Sequence, residues 1–84
     1  MNNDATVIFD RNLINEEKMK LIVRDVYLAL KERGYNPINQ IVGYLMTGDL
    51  GYISSYKDAR IKMSKIDRAS LLEMMLKGYL KWDV

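Results

Sequence analysis

The sequence predicts an all-α fold, a compact bundle of about four helices, from three observations. A chain of 84 residues has room for one domain, since chains divide only when a core outgrows roughly 250 residues. Its 49% apolar and aromatic residues and formal net charge of +2 are typical of a folded protein. Helix-capping residues also recur before segments whose apolar residues repeat at helical spacing. We therefore expect a flexible N-terminal tail at 1–12 and a single helical domain at 13–84.

Residues 1–12 show no helical period, because they mix β-branched and aromatic residues with Asn and Asp. We expect a flexible tail here. Thr6 lies in this tail, and a protein kinase requires an extended, accessible hydroxyl of this kind. A phosphate would add about 1.5 to 2 negative charges, roughly neutralising the chain's +2. An inert terminus is the alternative interpretation.

The first helix is predicted over about 15–33. Asn15 is suited to accept a hydrogen bond at its start, and Gly34 follows its last turn. The main apolar stripe consists of Met19, Ile22, Val23, Val26 and Leu30. Leu21 and Leu28 lie on the opposite side. One stripe suffices for an intramolecular core, so this second seam predicts a second partner.

The second helix is predicted over about 37–47. Asn36 can cap it, and Pro37 at the first helical position loses only an N–H that would be unpaired. One face carries Ile38, Ile41, Val42, Leu45 and Met46. Asn36, Asn39 and Gln40 crowd the helix start, where they either cap and tether the turn or form a site for an anion or a partner. A loop follows at 48–54.

Two more helices follow the loop. Ser55 and Asp58 match the S-x-x-D capping box, which predicts a third helix over about 55–65. Asp67 can cap a fourth helix over about 68–82. One side of this helix carries Leu71, Leu72, Met75, Leu76 and Tyr79, and Met74, Leu80 and Trp82 lie elsewhere. We expect helices one, two and four to form the core.

The chain has more apolar surface than one small subunit can bury. A domain of this size buries only roughly 60–65% of the surface that its unfolded chain exposes. Exposed patches of several hundred Å² usually mark interfaces, and a two-fold dimer is the commonest way to cover them. We therefore predict a homodimer. Its candidate interface residues are Leu21, Leu28, Met74, Leu80 and Trp82.

The residues for common catalytic chemistry are missing from the sequence. Without Cys or His the chain lacks a thiolate nucleophile, an imidazole base and an ordinary zinc site. Asp49 is a lone carboxylate between Gly48 and Gly51, where an Asx-turn is the alternative to a metal or substrate contact. The sequence shows no glycine-rich phosphate motif, and its first residues and apolar runs lead us to expect neither a signal peptide nor a membrane span. We expect a soluble, intracellular domain that lacks catalytic equipment and has no metal or cofactor site.

The C-terminal half is the basic half, since residues 56–82 hold seven Lys/Arg against three Asp/Glu. The basic residues are Lys57, Arg60, Lys62, Lys65, Arg68, Lys77 and Lys81. A solvated face is one interpretation. The alternative is a small dimeric nucleic-acid-binding protein, whose tyrosines would stack on bases.

Five segments match a known family in order and spacing. They are DATVIF at 4–9, YLAL at 27–30, GYNPINQIVGY at 34–44, Gly48-Asp49 and Ala59-Arg60. The chain resembles the IreB family of small regulatory phosphoproteins from Gram-positive bacteria over nearly its whole length. The most specific part of the resemblance is the block at 34–44, with Tyr35, Asn36, Pro37, Asn39, Gln40, Gly43 and Tyr44.

The resemblance implies a helical, homodimeric, cytoplasmic protein that is not an enzyme. Members of this family are substrates of a transmembrane Ser/Thr kinase with extracellular PASTA repeats, opposed by a partner phosphatase. They act as negative regulators in cell-envelope stress and cephalosporin resistance. The family's principal phosphoacceptor falls on Thr6, whereas Asn3 stands in place of a second family threonine. The residues do not identify the downstream protein.

We also expect the phosphate on Thr6 to act through electrostatics. Lys57, Arg60 and Lys62 belong to the basic half that would draw the phosphorylated tail onto the domain. In the alternative route, the tail stays mobile and repels or recruits a partner directly.

Overall fold

The computed structural model describes residues 14–81, and the regular elements within this range are all helical. The α-helices are α1 (Glu16–Glu32), α2 (Pro37–Thr47), α3 (Ala59–Ser64) and α4 (Arg68–Tyr79). Two short 3₁₀ turns, Leu50–Tyr52 and Tyr56–Asp58, lie between α2 and α3. The predicted all-α class and four helices are confirmed. The predicted tail at 1–12, with Thr6, and the candidate interface residue Trp82 lie outside the described residues.

Three helices begin where their capping residues predict. In each, the side-chain oxygen of the cap accepts the backbone N–H three residues later. The caps are Asn15 for α1 (2.8 Å), Asn36 for α2 (3.1 Å) and Asp67 for α4 (2.9 Å). The ends of α1 and α2 use glycine, since Gly34 (φ +84°) and Gly48 (φ +76°) adopt the left-handed conformation that disfavours other residues.

The predicted start of the third helix is wrong. Ser55 makes no side-chain capping bond, and Lys57 (φ +53°) and Asp58 (φ +61°) have left-handed backbone angles that interrupt a right-handed helix. As a result, α3 begins only at Ala59. Tertiary contacts hold the preceding turn, because the side chains of Tyr56 and Lys57 both bond to Glu32 of α1.

The core lies where α1 packs against α2 and α3. The buried residues of α1 are Met19, Ile22, Val26, Ala29 and Leu30. Ile53 in the loop and Met63 in α3 are both fully buried. The expectation that helices one, two and four form the core is therefore wrong about helix three, which supplies Ala59 and Met63. Helix α4 adds Leu71 and Met74.

Helices α2 and α4 each expose a stripe of three large apolar residues. On α2 the predicted apolar face is split, since Ile41 is buried while Ile38, Val42 and Met46 are exposed. On α4 the exposed stripe consists of Leu72, Leu76 and Tyr79. Residues spaced by three or four positions lie on one side of a helix, so each set forms a continuous surface.

Candidate functional site

The 34–44 block forms the turn between α1 and α2 and most of α2 itself. The Tyr35 N–H donates to the Leu30 carbonyl at 3.0 Å, and Pro37 occupies the first turn of α2. Asn36 caps α2 by accepting the N–H of Asn39. Of the two interpretations left open for these amides, the structure therefore favours capping and tethering of the turn.

The same block fastens α2 to the loop that follows it. The Gln40 Nε2 donates to the Tyr52 carbonyl at 3.0 Å. The ring of Tyr52 lies over Gly43, where a Cβ would meet it at 2.5 Å. Tyr44 is buried in the core. The characteristic residues of the block thus act on this chain's own α2 and loop.

Asp49 forms the Asx-turn that was the alternative to a ligand contact. Its Oδ1 accepts the Gly51 N–H at 2.8 Å, and its own N–H donates to the Thr47 Oγ1 at 3.1 Å. Within residues 14–81, no group of three or more acidic side chains is placed to hold a metal ion. In the same range, no helix is long and apolar enough to cross a membrane.

Five of the seven basic residues in 56–82 contact acceptors in the same chain. Three form ion pairs, Lys57–Glu32 (3.2 Å), Lys62–Asp25 (3.2 Å) and Lys77–Glu16 (3.9 Å). Two donate to backbone carbonyls, Arg60 to Ile53 (2.8 Å) and Arg68 to Leu45 (3.1 Å). This dispersal weighs against the nucleic-acid alternative, which needs clustered cations facing a phosphate backbone.

The Glu32 carboxylate is the centre of the contact that holds the turn before α3. The Tyr56 hydroxyl donates to its Oε1 at 3.0 Å, and the Lys57 ammonium lies 3.2 Å from the same oxygen. The hydrogen bond from Lys57, followed by that from Tyr56, lowers the pKa of Glu32. The hydrogen bond to Glu32 raises the pKa of Lys57. The Arg33 guanidinium lies 5.2 Å from the centre of the Tyr56 ring, within the range of a cation–π contact.

The four candidate interface residues that the structure describes differ in exposure. Leu21 and Leu28 on α1 are exposed, as predicted, and Leu80 is half-buried. Met74 was expected at the surface but is 7% exposed and belongs to the core of its own chain. Apolar residues lie on so many sides of α4 that their periodicity does not show which side of the helix is buried. The sequence predicted that Leu72, Leu76 and Tyr79 share one side of the helix with Leu71. In the structure Leu71 is buried, whereas these three residues are exposed.

Comparison with known proteins supports the resemblance found in the sequence. Residues 4–81 match a family described as IreB regulatory phosphoprotein. The chain is also 47% identical over 83 residues to a UPF0297 protein of Acetivibrio thermocellus, and the alignment covers 96% of this chain and 90% of that protein. The family match includes Thr6, the 34–44 block and all four helices of residues 14–81.

Proposed function

The chain belongs to the IreB family of regulatory phosphoproteins, and we propose that it is a phosphorylation-controlled regulator and not an enzyme. In this proposal a transmembrane Ser/Thr kinase phosphorylates Thr6 and a partner phosphatase reverses the modification. The protein then acts in the cytoplasm as a negative regulator in cell-envelope stress and cephalosporin resistance, through a downstream protein.

The assignment to Thr6 rests on the family resemblance, and the bonds of the chain's other threonine, Thr47, support it. The Thr47 hydroxyl donates to the Gly43 carbonyl at 2.8 Å and accepts the Asp49 N–H at 3.1 Å. A kinase would have to break both bonds and unwind the end of α2 to reach it. Thr6 precedes the first helix by ten positions and follows Asp4 closely. Thr6 is also the position on which the principal phosphoacceptor of the family falls.

The serines supply one rival site within the described residues. Ser64 donates to the Ile61 carbonyl, Ser70 donates to Asp67, and Ser54 accepts from Tyr56. Ser55 is exposed and makes no capping bond. If Thr6 is not the phosphorylated residue, Ser55 is therefore the alternative acceptor among the described residues.

We further propose that the regulator is a homodimer and that α4 supplies its interface. Leu72, Leu76 and Tyr79 form an exposed apolar stripe that a self-complementary contact would cover. Since pairing would bind the folded chain only, the melting temperature would rise with protein concentration. Light scattering of the chain and of Leu76→Glu tests this interface, and a monomeric wild-type chain would contradict it.

Labelling with the purified kinase tests the phosphorylation site. We expect Thr6→Ala to abolish incorporation of phosphate, Thr6→Ser to restore it, and Ser55→Ala to leave it unchanged. Residual labelling of Thr6→Ala that disappears in the double variant with Ser55→Ala would move the site to Ser55. Undiminished labelling of both variants would reject both assignments.

A further inference from the structure

A groove opens beside the start of α1, between this helix and α3. Its volume is about 280 Å³, and its apolar lining is formed by Ile14, Leu21 and Ile22. An apolar cavity of about 150 Å³ suffices to hold a benzene molecule. The groove is therefore large enough for one aromatic side chain.

Three lysines surround this apolar lining. Lys18, Lys62 and Lys65 contribute positive charges and Asp25 contributes one negative charge, which leaves a local balance of +2. Asp25 pairs with Lys62 at 3.2 Å. Within residues 14–81, Lys18 and Lys65 take part in none of the ion pairs. An apolar occupant with a negative charge fits this groove best.

We propose that residues 1–13 of the same chain dock in this groove, with the Phe9 side chain against Leu21 and Ile22. The segment joins the described domain at Ile14, which itself lines the groove. Phe9 lies five positions before Ile14, so an extended chain of about 17 Å gives it room to turn back into the groove. Phe9 is the chain's only phenylalanine, and Val7 and Ile8 precede it.

The charges of the segment complement those of the groove. Asp4, Asp10 and Arg11 give its side chains a balance of −1, against +2 at the groove. Thr6 lies eight positions before Ile14, and an extended stretch of that length spans about 26–29 Å. A phosphate on Thr6 therefore reaches the three lysines and strengthens docking, an extension that rests on the proposed function.

This arrangement changes the expected receptors of the phosphate. Lys57 and Arg60 were expected to receive it, but neither of them lines this groove. Lys62 is the one member of that set that lines the groove, where Lys18 and Lys65 accompany it.

A nitroxide attached to Asn3→Cys tests the docking in the full chain, because the native sequence has no cysteine. We expect it to broaden the amide NMR signals of Lys62 and Lys65, which are remote in sequence and line the groove. Phe9→Ala should lower the ratio of docked to free segment about tenfold, which corresponds to 1.4 kcal/mol of lost apolar burial. Leu21→Glu should reduce the broadening as well.

Leu28→Glu is the matched control, since Leu28 is exposed on the same helix but does not line this groove. Broadening that is absent from the wild-type chain, or equal in the Leu21→Glu and Leu28→Glu variants, would overturn the proposal. A mixture of nitroxide-labelled and isotope-labelled chains identifies the alternative occupant. With the nitroxide-labelled chains in excess, broadening in this mixture at the level seen within one chain would assign the groove to the segment of a second copy and contradict same-chain docking.

A chain synthesised with phosphothreonine at position 6 makes it possible to measure docking without a kinase. The docking proposal is thereby tested independently of the proposed kinase. We expect the phosphate to raise the ratio of docked to free segment about two- to fivefold at low salt, the range of an exposed ion pair, and the rise to fade at high salt. If the phosphate does not raise the ratio of docked to free segment at low salt, the proposal that it strengthens docking is overturned. Failure of kinase labelling would instead overturn the proposed function and leave the apolar docking of the unmodified chain intact.

Discussion

The Tyr52 ring lies so close to Gly43 that a Cβ at position 43 would stand 2.5 Å from the Tyr52 Cε1. Gly43 is in the middle of α2, where glycine normally weakens a helix by about 0.5–1 kcal/mol relative to alanine. Beside it, Gln40 holds the backbone of the same tyrosine. The 34–44 block therefore uses a residue of poor helix propensity to let the loop approach α2.

We expect Gly43→Ala to destabilise the wild-type chain by about 1–3 kcal/mol, because the added methyl group displaces the Tyr52 ring. In a Tyr52→Ala background the same change should stabilise the chain by about 0.5–1 kcal/mol, since only the helix propensity remains. Urea unfolding of the four chains in this double-mutant cycle measures both values. Destabilisation by the same amount in both backgrounds would show that the ring is not the obstacle.

The capping role of the block's amides predicts different effects at two neighbouring asparagines. Asn36→Ala should reduce the free energy of unfolding by about 0.5–2 kcal/mol, because the side chain of Asn36 accepts the N–H of Asn39. Asn39→Ala is the control, since this bond uses only the backbone of Asn39. Equal losses in urea unfolding would contradict the assignment of the cap to Asn36.

The Glu32 contact predicts a dependence of stability on pH. Hydrogen bonds from Lys57 and Tyr56 lower the pKa of Glu32 in the folded chain. The ionised carboxylate therefore stabilises the fold above its unfolded pKa of about 4.3, and this contribution is lost as the pH falls through the lower folded value. Glu32→Gln should be less stable than wild type at pH 7, and the difference should shrink as the solution is acidified below about pH 4.

Urea unfolding across this pH range checks the prediction. Glu73→Gln is the control, because Glu73 forms no ion pair within residues 14–81. A Glu32→Gln deficit that stays constant from neutral to acidic pH would show that the charge of Glu32 is not responsible.

The packing of α3 against the core predicts losses of stability of very different size for two of its residues. Met63→Ala should cost about 2–5 kcal/mol, because Met63 is fully buried against its neighbours. Ile61→Ala on the same short helix should cost much less, since the Ile61 side chain is 57% exposed. Similar losses in the two variants would place the core elsewhere.

The parts of the fold that follow from local chemistry could be predicted from the sequence. Asn15, Asn36 and Asp67 cap their helices through atoms three residues away, so neighbouring residues suffice to identify these starts. The start of α3 could not be predicted in this way. The turn before it is held by Glu32, which is 24 positions before Tyr56, and this distant contact overrides the local capping signal of Ser55.

Periodicity also failed where helices are short or apolar on several sides. A helix of six residues such as α3 has too few positions to define a stripe, so the burial of Met63 left no clear signal. On α4, apolar residues on several sides concealed that Met74 is buried and Leu76 exposed. The tether from Gln40 to Tyr52 joins residues whose proximity depends on the loop path.

Intact-mass analysis of the protein from cells with and without the active kinase tests the central claim most directly. We expect a species with one added phosphate from cells with the active kinase, fragment mapping of that phosphate to Thr6, and loss of this species when the kinase is inactivated. An unmodified chain from both kinds of cell, or a phosphate that persists without the kinase, would contradict the account.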